Sequence, residues 1–232
     1  MNRRGFLASS ATAAAASGVA GAPVIPGGTH RVERRADFDE VGFAAAVGRP
    51  AQIRQLYEAV TFMPAVLGSI KNSFNGLQFG FGYAGTAIAI ALAGHGPSAA
   101  YAYSDYLWQK YRIGEFLKIE DAAGRAMTTN EFLQQRAPYD VRANPDDDAG
   151  MYQDASIAML QRRGLIVLTC HTAVEEQARA IVQKGFASGA LPTDVADDIL
   201  LHLIPGAVVV PSMVATIAVL QARYRYTYLT PL

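Results

Sequence analysis

The chain has 232 residues and a mass of 24.8 kDa, and 51% of its residues are hydrophobic while 17% are charged. This composition excludes an intrinsically disordered chain, a collagen-like repeat and a small disulfide-stabilised scaffold. Basic and acidic residues balance at 20 each, so the overall charge gives no reason to predict binding to nucleic acid or to an anionic membrane.

The first 22 residues have the three parts of an export signal. Arg3 and Arg4 come just before the apolar pair Phe6-Leu7, an alanine-rich run follows, and small residues continue to Ala20-Gly21-Ala22. This order is typical of a twin-arginine signal peptide, and the alternative is an N-terminal alanine helix. The signal predicts a periplasmic protein that has no stable membrane anchor after cleavage.

Residues 23–50 are predicted to form a linker, and residues 51–232 a single domain. Apolar spacing and turn residues predict its elements in chain order: a leading helix (52–74), a strand (86–92), a helix (98–111), an irregular insertion (112–150) with a strand at 116–120, a helix (151–163), a strand (165–169), two helices (172–186 and 192–203), a strand (207–210), a helix (212–222) and a last strand (224–228).

Alternating strands and helices predict an α/β fold with three layers, in which an open, mostly parallel sheet carries helices on both faces. The uncharged stretch 203–220 is long enough for a membrane span, but Pro205, Gly206 and Pro211 interrupt it and favour a strand, a turn and a helix. Neither GxGxxG after a strand nor GxxxxGK[ST] is present, so the sequence predicts no nucleotide cofactor.

Three chemically versatile residues follow two predicted strands. His95 comes three residues after the strand that ends at Leu92, Cys170 directly follows Thr169, and His171 is next. Because ligands gather at the carboxyl ends of parallel strands, we predict that Cys170, His95 and His171 share one edge of the sheet. They are the candidate catalytic residues.

Cys170 also precedes a predicted helix, where Thr172 and Glu175 match a capping box. Unpaired backbone N–H groups at a helix start favour a thiolate, the form of cysteine that attacks sulfane sulfur or binds a soft metal. The alternatives are that Cys170 is a small buried apolar residue and that His95 only bonds the backbone. A copper or zinc site built from all three residues is a further alternative, although adjacent residues chelate one metal poorly and no fourth ligand is evident.

The segment from Gly164 to Cys170, followed by a helix, resembles the strand–cysteine–helix segment of DsrE/DsrF-like sulfur-relay proteins. The segment from Leu203 to Ser212, with its following helix and tyrosine-rich end, is similar to the same family, and His95-Gly96-Pro97 is similar to the first turn of its exported members. The resemblance implies a DsrE-like domain that assembles into trimers or hexamers. It also implies that Cys170 accepts sulfane sulfur from a donor and passes it to an acceptor protein or a small thiol.

Two functions therefore remain open. In the first, Cys170 carries sulfur as a persulfide, and His95 or His171 moves a proton. In the second, the protein is a non-catalytic, oligomeric module that binds a small ligand or a metal at the same edge.

Overall fold

A computed structural model describes residues 38–134 and 151–230 of the chain. The predicted signal peptide (1–22), the predicted linker as far as residue 37, and residues 135–150 of the predicted insertion lie outside the described residues.

Five strands form one sheet, and every pair of neighbours in it is parallel. The strands are β1 (Ile53–Ala59), β2 (Ile88–Gly94), β3 (Leu165–Cys170), β4 (Ala207–Val210) and β5 (Thr227–Leu229). Their order across the sheet is β4-β3-β2-β1-β5, so β2 lies at the centre and β4 and β5 form the edges.

The helices surround this sheet. They are α1 (Glu40–Val47), α2 (Ala65–Asn75), α3 (Asp105–Lys110), α4 (Ile113–Leu117), α5 (Ile157–Arg162), α6 (His171–Gln183), α7 (Pro192–Leu201) and α8 (Met213–Tyr224). Short 3-10 turns cover Gly85–Ala87, Gly96–Ala102 and Met151–Gln153, and a π-helical turn covers Gly76–Gly80.

Each face of the sheet is covered by its own set of helices. Side chains alternate along a strand, and in β2 the isoleucines and Leu92 belong to a core with α2 and α5, whereas the alanines belong to a core with α1, α6 and α8. All seven residues of β2 are buried, which explains its continuous apolar sequence. The structure thus confirms the three-layer α/β fold, with a sheet that is entirely rather than mostly parallel.

Arg49 fastens the amino edge of the sheet. Its Nη2 donates hydrogen bonds to the carbonyl oxygen of Ile88, at 2.6 Å, and to that of Gly164, at 2.9 Å. Gly164 has a φ of +106°, and a Cβ there would lie 2.4 Å from the same nitrogen. A glycine is therefore required where β3 begins, both for the backbone conformation and for the space that Arg49 occupies.

Several predicted elements differ from the structure. The leading helix predicted over 52–74 is wrong in its first half, where β1 forms. The pattern misled because β1 is partly exposed and its apolar residues resemble one side of a helix. The strand predicted at 116–120 is also wrong, since Ile113–Leu117 is helical and buries Ile113 and Phe116.

Two segments outside the predicted regular structure pack on the core. Within the range predicted as a linker, α1 forms and buries Phe43 and Val47. Asn130, in the predicted insertion, is fully buried and donates to the carbonyl oxygens of Tyr101 and Tyr103, at 3.2 and 2.8 Å. This part of the insertion is therefore fixed to the segment that follows β2.

The uncharged stretch 203–220 is divided between β4 and the first two turns of α8. Across residues 38–134 and 151–230, no helix combines the length and the apolar character needed to cross a bilayer.

Candidate functional site

Cys170 is the last residue of β3 and the N-cap of α6. It is 5% exposed and belongs to the core that includes α6 and α8. The thiol is free rather than disulfide-bonded. The predicted capping box is wrong: Thr172 Oγ1 donates to the carbonyl oxygen of Pro211, at 3.0 Å, and the side chain of Cys170 caps no N–H group of α6.

The starts of two helices meet at the sulfur. The backbone N–H of Met213, the first residue of α8, donates to Cys170 Sγ at 3.3 Å. Because α6 begins at the next residue, the positive ends of both helix dipoles lie beside one sulfur atom. The bond between Thr172 and Pro211 holds these two helix starts together.

A buried polar chain lies close to the thiol. Tyr103 is fully buried, and its hydroxyl donates to Gln177 Oε1 at 3.1 Å. Gln177 Nε2 in turn donates to the carbonyl oxygen of Gly96. Burial raises the pKa of Tyr103, and the nearby Cys170 adds to the rise. The hydroxyl therefore stays protonated near neutral pH and links α6 to the turn after β2.

His95 belongs to a different group of side chains. Its Nε2 lies 2.8 Å from Glu58 Oε1, near the end of β1. Tyr228, on β5, donates its hydroxyl hydrogen to the other carboxylate oxygen of Glu58. The side chains of His95 and Glu58 are 19% and 16% exposed, so solvent reaches both of them. We call these three residues the Tyr228–Glu58–His95 cluster.

The Glu58 carboxylate at the centre of this cluster affects the pKa of Tyr228 and the orientation of the His95 imidazole. The hydrogen bond to Glu58 raises the pKa of Tyr228, because the phenol must remain protonated to donate it. A carboxylate on one ring nitrogen also fixes the orientation of an imidazole and leaves its second nitrogen for another partner. The bond to Glu58 therefore fixes the direction in which Nδ1 of His95 points.

The structure places the three predicted site residues at the carboxyl ends of β2 and β3, but no side-chain hydrogen bond in the described residues joins them to one another. Gly94 pairs with Thr169, so His95 and Cys170 leave β2 and β3 at the same level. The imidazole of His95, however, bonds Glu58 on β1, which lies on the opposite side of β2 from β3. Within the described part of the chain, no hydrogen bond or ion pair joins Cys170, His95 and His171 to one another.

His171 begins α6 and is buried at 8% exposure. Among the residues that the structure describes, no three His, Cys, Asp or Glu side chains are gathered as a metal site would require. The alternative of a copper or zinc site formed by Cys170, His95 and His171 therefore has no geometric support.

The sequence reasoning missed the partners of both groups. Glu58 was overlooked because β1 was predicted as a helix, and a correct strand would have placed it at the carboxyl edge. Tyr228 lies on the predicted last strand, but its contact depends on β5 lying beside β1, which no local pattern reveals. Met213 and Tyr103 act through tertiary contacts alone.

Neither the protein-family models, nor the curated proteins, nor the solved structures include a match to this chain. The resemblance to DsrE/DsrF-like proteins and the twin-arginine signal therefore stay predictions.

Proposed function

We propose that the protein carries sulfane sulfur as a persulfide on Cys170. The observation that carries the proposal is the hydrogen bond from the Met213 N–H to Sγ, at the point where α6 and α8 both begin. Oriented amide groups stabilise negative charge on sulfur, both in the attacking thiolate and in the persulfide that it forms. The resemblance of residues 164–170 to a sulfur-relay segment supports the same role.

The transfer needs no oxidant. The Cys170 thiolate attacks the outer sulfur of a donor persulfide, R–S–SH, and a new S–S bond forms as the S–S bond of the donor breaks. The leaving thiolate takes up the proton that the Cys170 thiol has given up. The products are a persulfide on Cys170 and the free thiol R–SH, and the reverse reaction delivers the sulfur to an acceptor thiol.

The buried position of the sulfur restricts its donors. Because Cys170 is 5% exposed, a large donor protein reaches it only if the start of α6 or α8 moves. Small persulfides need a smaller opening. We therefore propose a low-molecular-weight persulfide as the first donor to test.

The test is to incubate the folded full chain with cysteine persulfide, remove the excess, and measure the intact mass. We expect the mass to increase by one sulfur atom located on Cys170, and Cys170→Ser to show no increase. An excess of a small thiol should then remove the added sulfur. If the folded chain gains no sulfur while the urea-unfolded chain does, Cys170 is a structural thiol and the proposal is wrong.

The low exposure of Cys170 favours a second candidate, a non-catalytic module that binds a small ligand at the accessible Tyr228–Glu58–His95 cluster. In that case Cys170→Ser leaves ligand binding unchanged, whereas Glu58→Ala abolishes it. Native mass spectrometry of the wild type and of both variants distinguishes the two candidates, because it reports bound ligand and added sulfur in one spectrum.

A further inference from the structure

The outer face of α8 is apolar although it is exposed. Val214 is 72% exposed, and Ala215, Ala218, Val219 and Ala222 on the same side are exposed too. The inner face of α8 buries Met213, Thr216 and Leu220 in the core. A helix that covers a core on one side normally has polar residues on the other, so an apolar outer side indicates a further partner.

α1 extends this apolar face. A groove of about 350 Å³ runs between the two helices, and most of its wall is apolar. Phe38 and Phe43 line it from the α1 side, and Ala215 and Val219 line it from α8. We call this surface, formed by the exposed sides of α1 and α8, the α1–α8 face.

The charges on the α1–α8 face are one acid and one base. Glu40 is the only charged residue within α1, and Arg223 is the only one within α8. Both line the groove, with Arg223 Nη1 lying 3.8 Å from Glu40 Oε1. A surface with one charge of each sign is complementary to its own copy when a two-fold axis places each acid against the base of the other copy.

We infer that the α1–α8 face binds a second copy of this chain around a two-fold axis. The exposed valines of one copy enter the groove of the other, and Glu40 of each copy pairs with Arg223 of its partner. The inference does not depend on the chemistry of Cys170. A two-fold contact gives an assembly with an even number of subunits.

The first test measures the mass of the full chain by light scattering and sedimentation over a range of concentrations. We expect an assembly with an even number of subunits. Val214→Asp should raise the dissociation constant about 100-fold or more, because it places an unpaired charge in the contact. Leu201→Asp is the matched control, since Leu201 is 79% exposed on α7 and lies outside the face, and it should leave the assembly unchanged.

The second test separates contacts between copies from contacts within one copy. Glu40→Arg and Arg223→Glu should each weaken self-association, because each variant places like charges against each other. An equimolar mixture of the two should associate again, since every contact across the two-fold axis then joins opposite charges. The pairing within each chain remains repulsive, so only an intermolecular contact explains the recovery.

A wild-type chain that stays monomeric, or that forms a trimer, overturns the inference. An assembly that Val214→Asp does not weaken overturns it as well, as does a mixture of the two charge variants that fails to associate. Thermal unfolding and circular dichroism of each variant confirm that a lost assembly does not reflect a lost fold.

Discussion

The carboxyl edge of the sheet has a covered part at the end of β3, which is buried against α6 and α8, and an open part beside the ends of β1 and β5, where the side chains of Glu58 and His95 are partly exposed. The covered part holds Cys170, whose sulfur receives one backbone N–H inside a core that also contains the buried Tyr103–Gln177 hydrogen bond. The open part holds the Tyr228–Glu58–His95 cluster, whose members bond one another and meet solvent. The comparison shows that Cys170 and the Tyr228–Glu58–His95 cluster occupy separate parts of this edge.

Under the proposed function, this separation suits the two parts to different roles. A buried sulfur between two helix starts is shielded from large thiols and from other proteins, which suits the storage of a reactive sulfur atom. A histidine oriented by a carboxylate suits recognition or proton transfer with a molecule that arrives from solvent. Four experiments test this difference between the covered part and the open part.

The largest expected effect comes from a charge in the covered part. Cys170→Lys should lower the free energy of unfolding by about 3–5 kcal/mol, because the buried ammonium would lie beside the positive ends of the α6 and α8 dipoles. Cys170→Ala is the control and should cost about 1 kcal/mol, since it removes one small buried group. Urea denaturation measures both. A loss below 1 kcal/mol for Cys170→Lys contradicts a dry environment around the sulfur.

The second experiment compares thiol reagents of different size. Native Cys170 should react about 100-fold more slowly with Ellman's reagent than the urea-unfolded chain does, which corresponds to an opening free energy of about 2.7 kcal/mol. The smaller methyl methanethiosulfonate should show much less protection. Absorbance and intact mass follow the two reactions. Equal protection against both reagents would mean that one opening exposes Cys170 to large and small reagents alike, which contradicts access limited by reagent size.

The third experiment removes the charge at the centre of the open part. Glu58→Gln should lower the pKa of Tyr228 towards that of a free tyrosine, and should cost about 1 kcal/mol of unfolding free energy at neutral pH. Tyr228→Phe identifies the titrating phenol in an ultraviolet absorbance titration.

The sign of the associated pH dependence follows from the raised pKa of Tyr228. A raised pKa in the folded state stabilises the fold below the pKa of the unfolded tyrosine, about 10, and this stabilisation is lost as the pH rises through the folded value. The stability advantage of the wild type over Glu58→Gln should therefore shrink above pH 10. An advantage that grows with alkaline pH contradicts the hydrogen bond.

The smallest effect is expected at His171. Because the described structure contains no hydrogen bond between its imidazole and Cys170 Sγ, His171→Phe should change the rate of sulfur loading by less than about two-fold, or about 0.4 kcal/mol. A stopped reaction followed by mass spectrometry measures the rate. A tenfold loss would show that His171 does move a proton during transfer.

The sequence predicted those parts of the fold whose signals are local. The buried strands β2, β3 and β4 have continuous apolar runs that end at turn residues. The structure confirms their predicted bounds to within two residues. The sequence did not predict β1, because its residues are half-buried and the spacing of its apolar residues resembles that of a helix. The sequence did not predict α1 either, because a short helix rich in alanine and valine beside a Gly/Pro-rich stretch shows almost no amphipathic pattern.

The candidate site could be predicted only as an edge of the sheet. The strand ends placed His95 and Cys170 at the same level, as the register shows. Which side chain each one contacts depends on strand order and on helix starts from distant parts of the chain. The burial of Cys170, the direction of His95 and the contribution of Met213 are therefore tertiary properties that the sequence motifs did not contain.

The clamp formed by Arg49 bears on how a buried sulfur can meet its reactants. One guanidinium nitrogen bonds the beginnings of both β2 and β3, which strengthens the contact between the two strands at that end. These bonds lie at the opposite end of β3 from Cys170, where α6 and α8 begin. We therefore expect a reactant to reach the sulfur by displacing a helix start, while the paired strands keep their register.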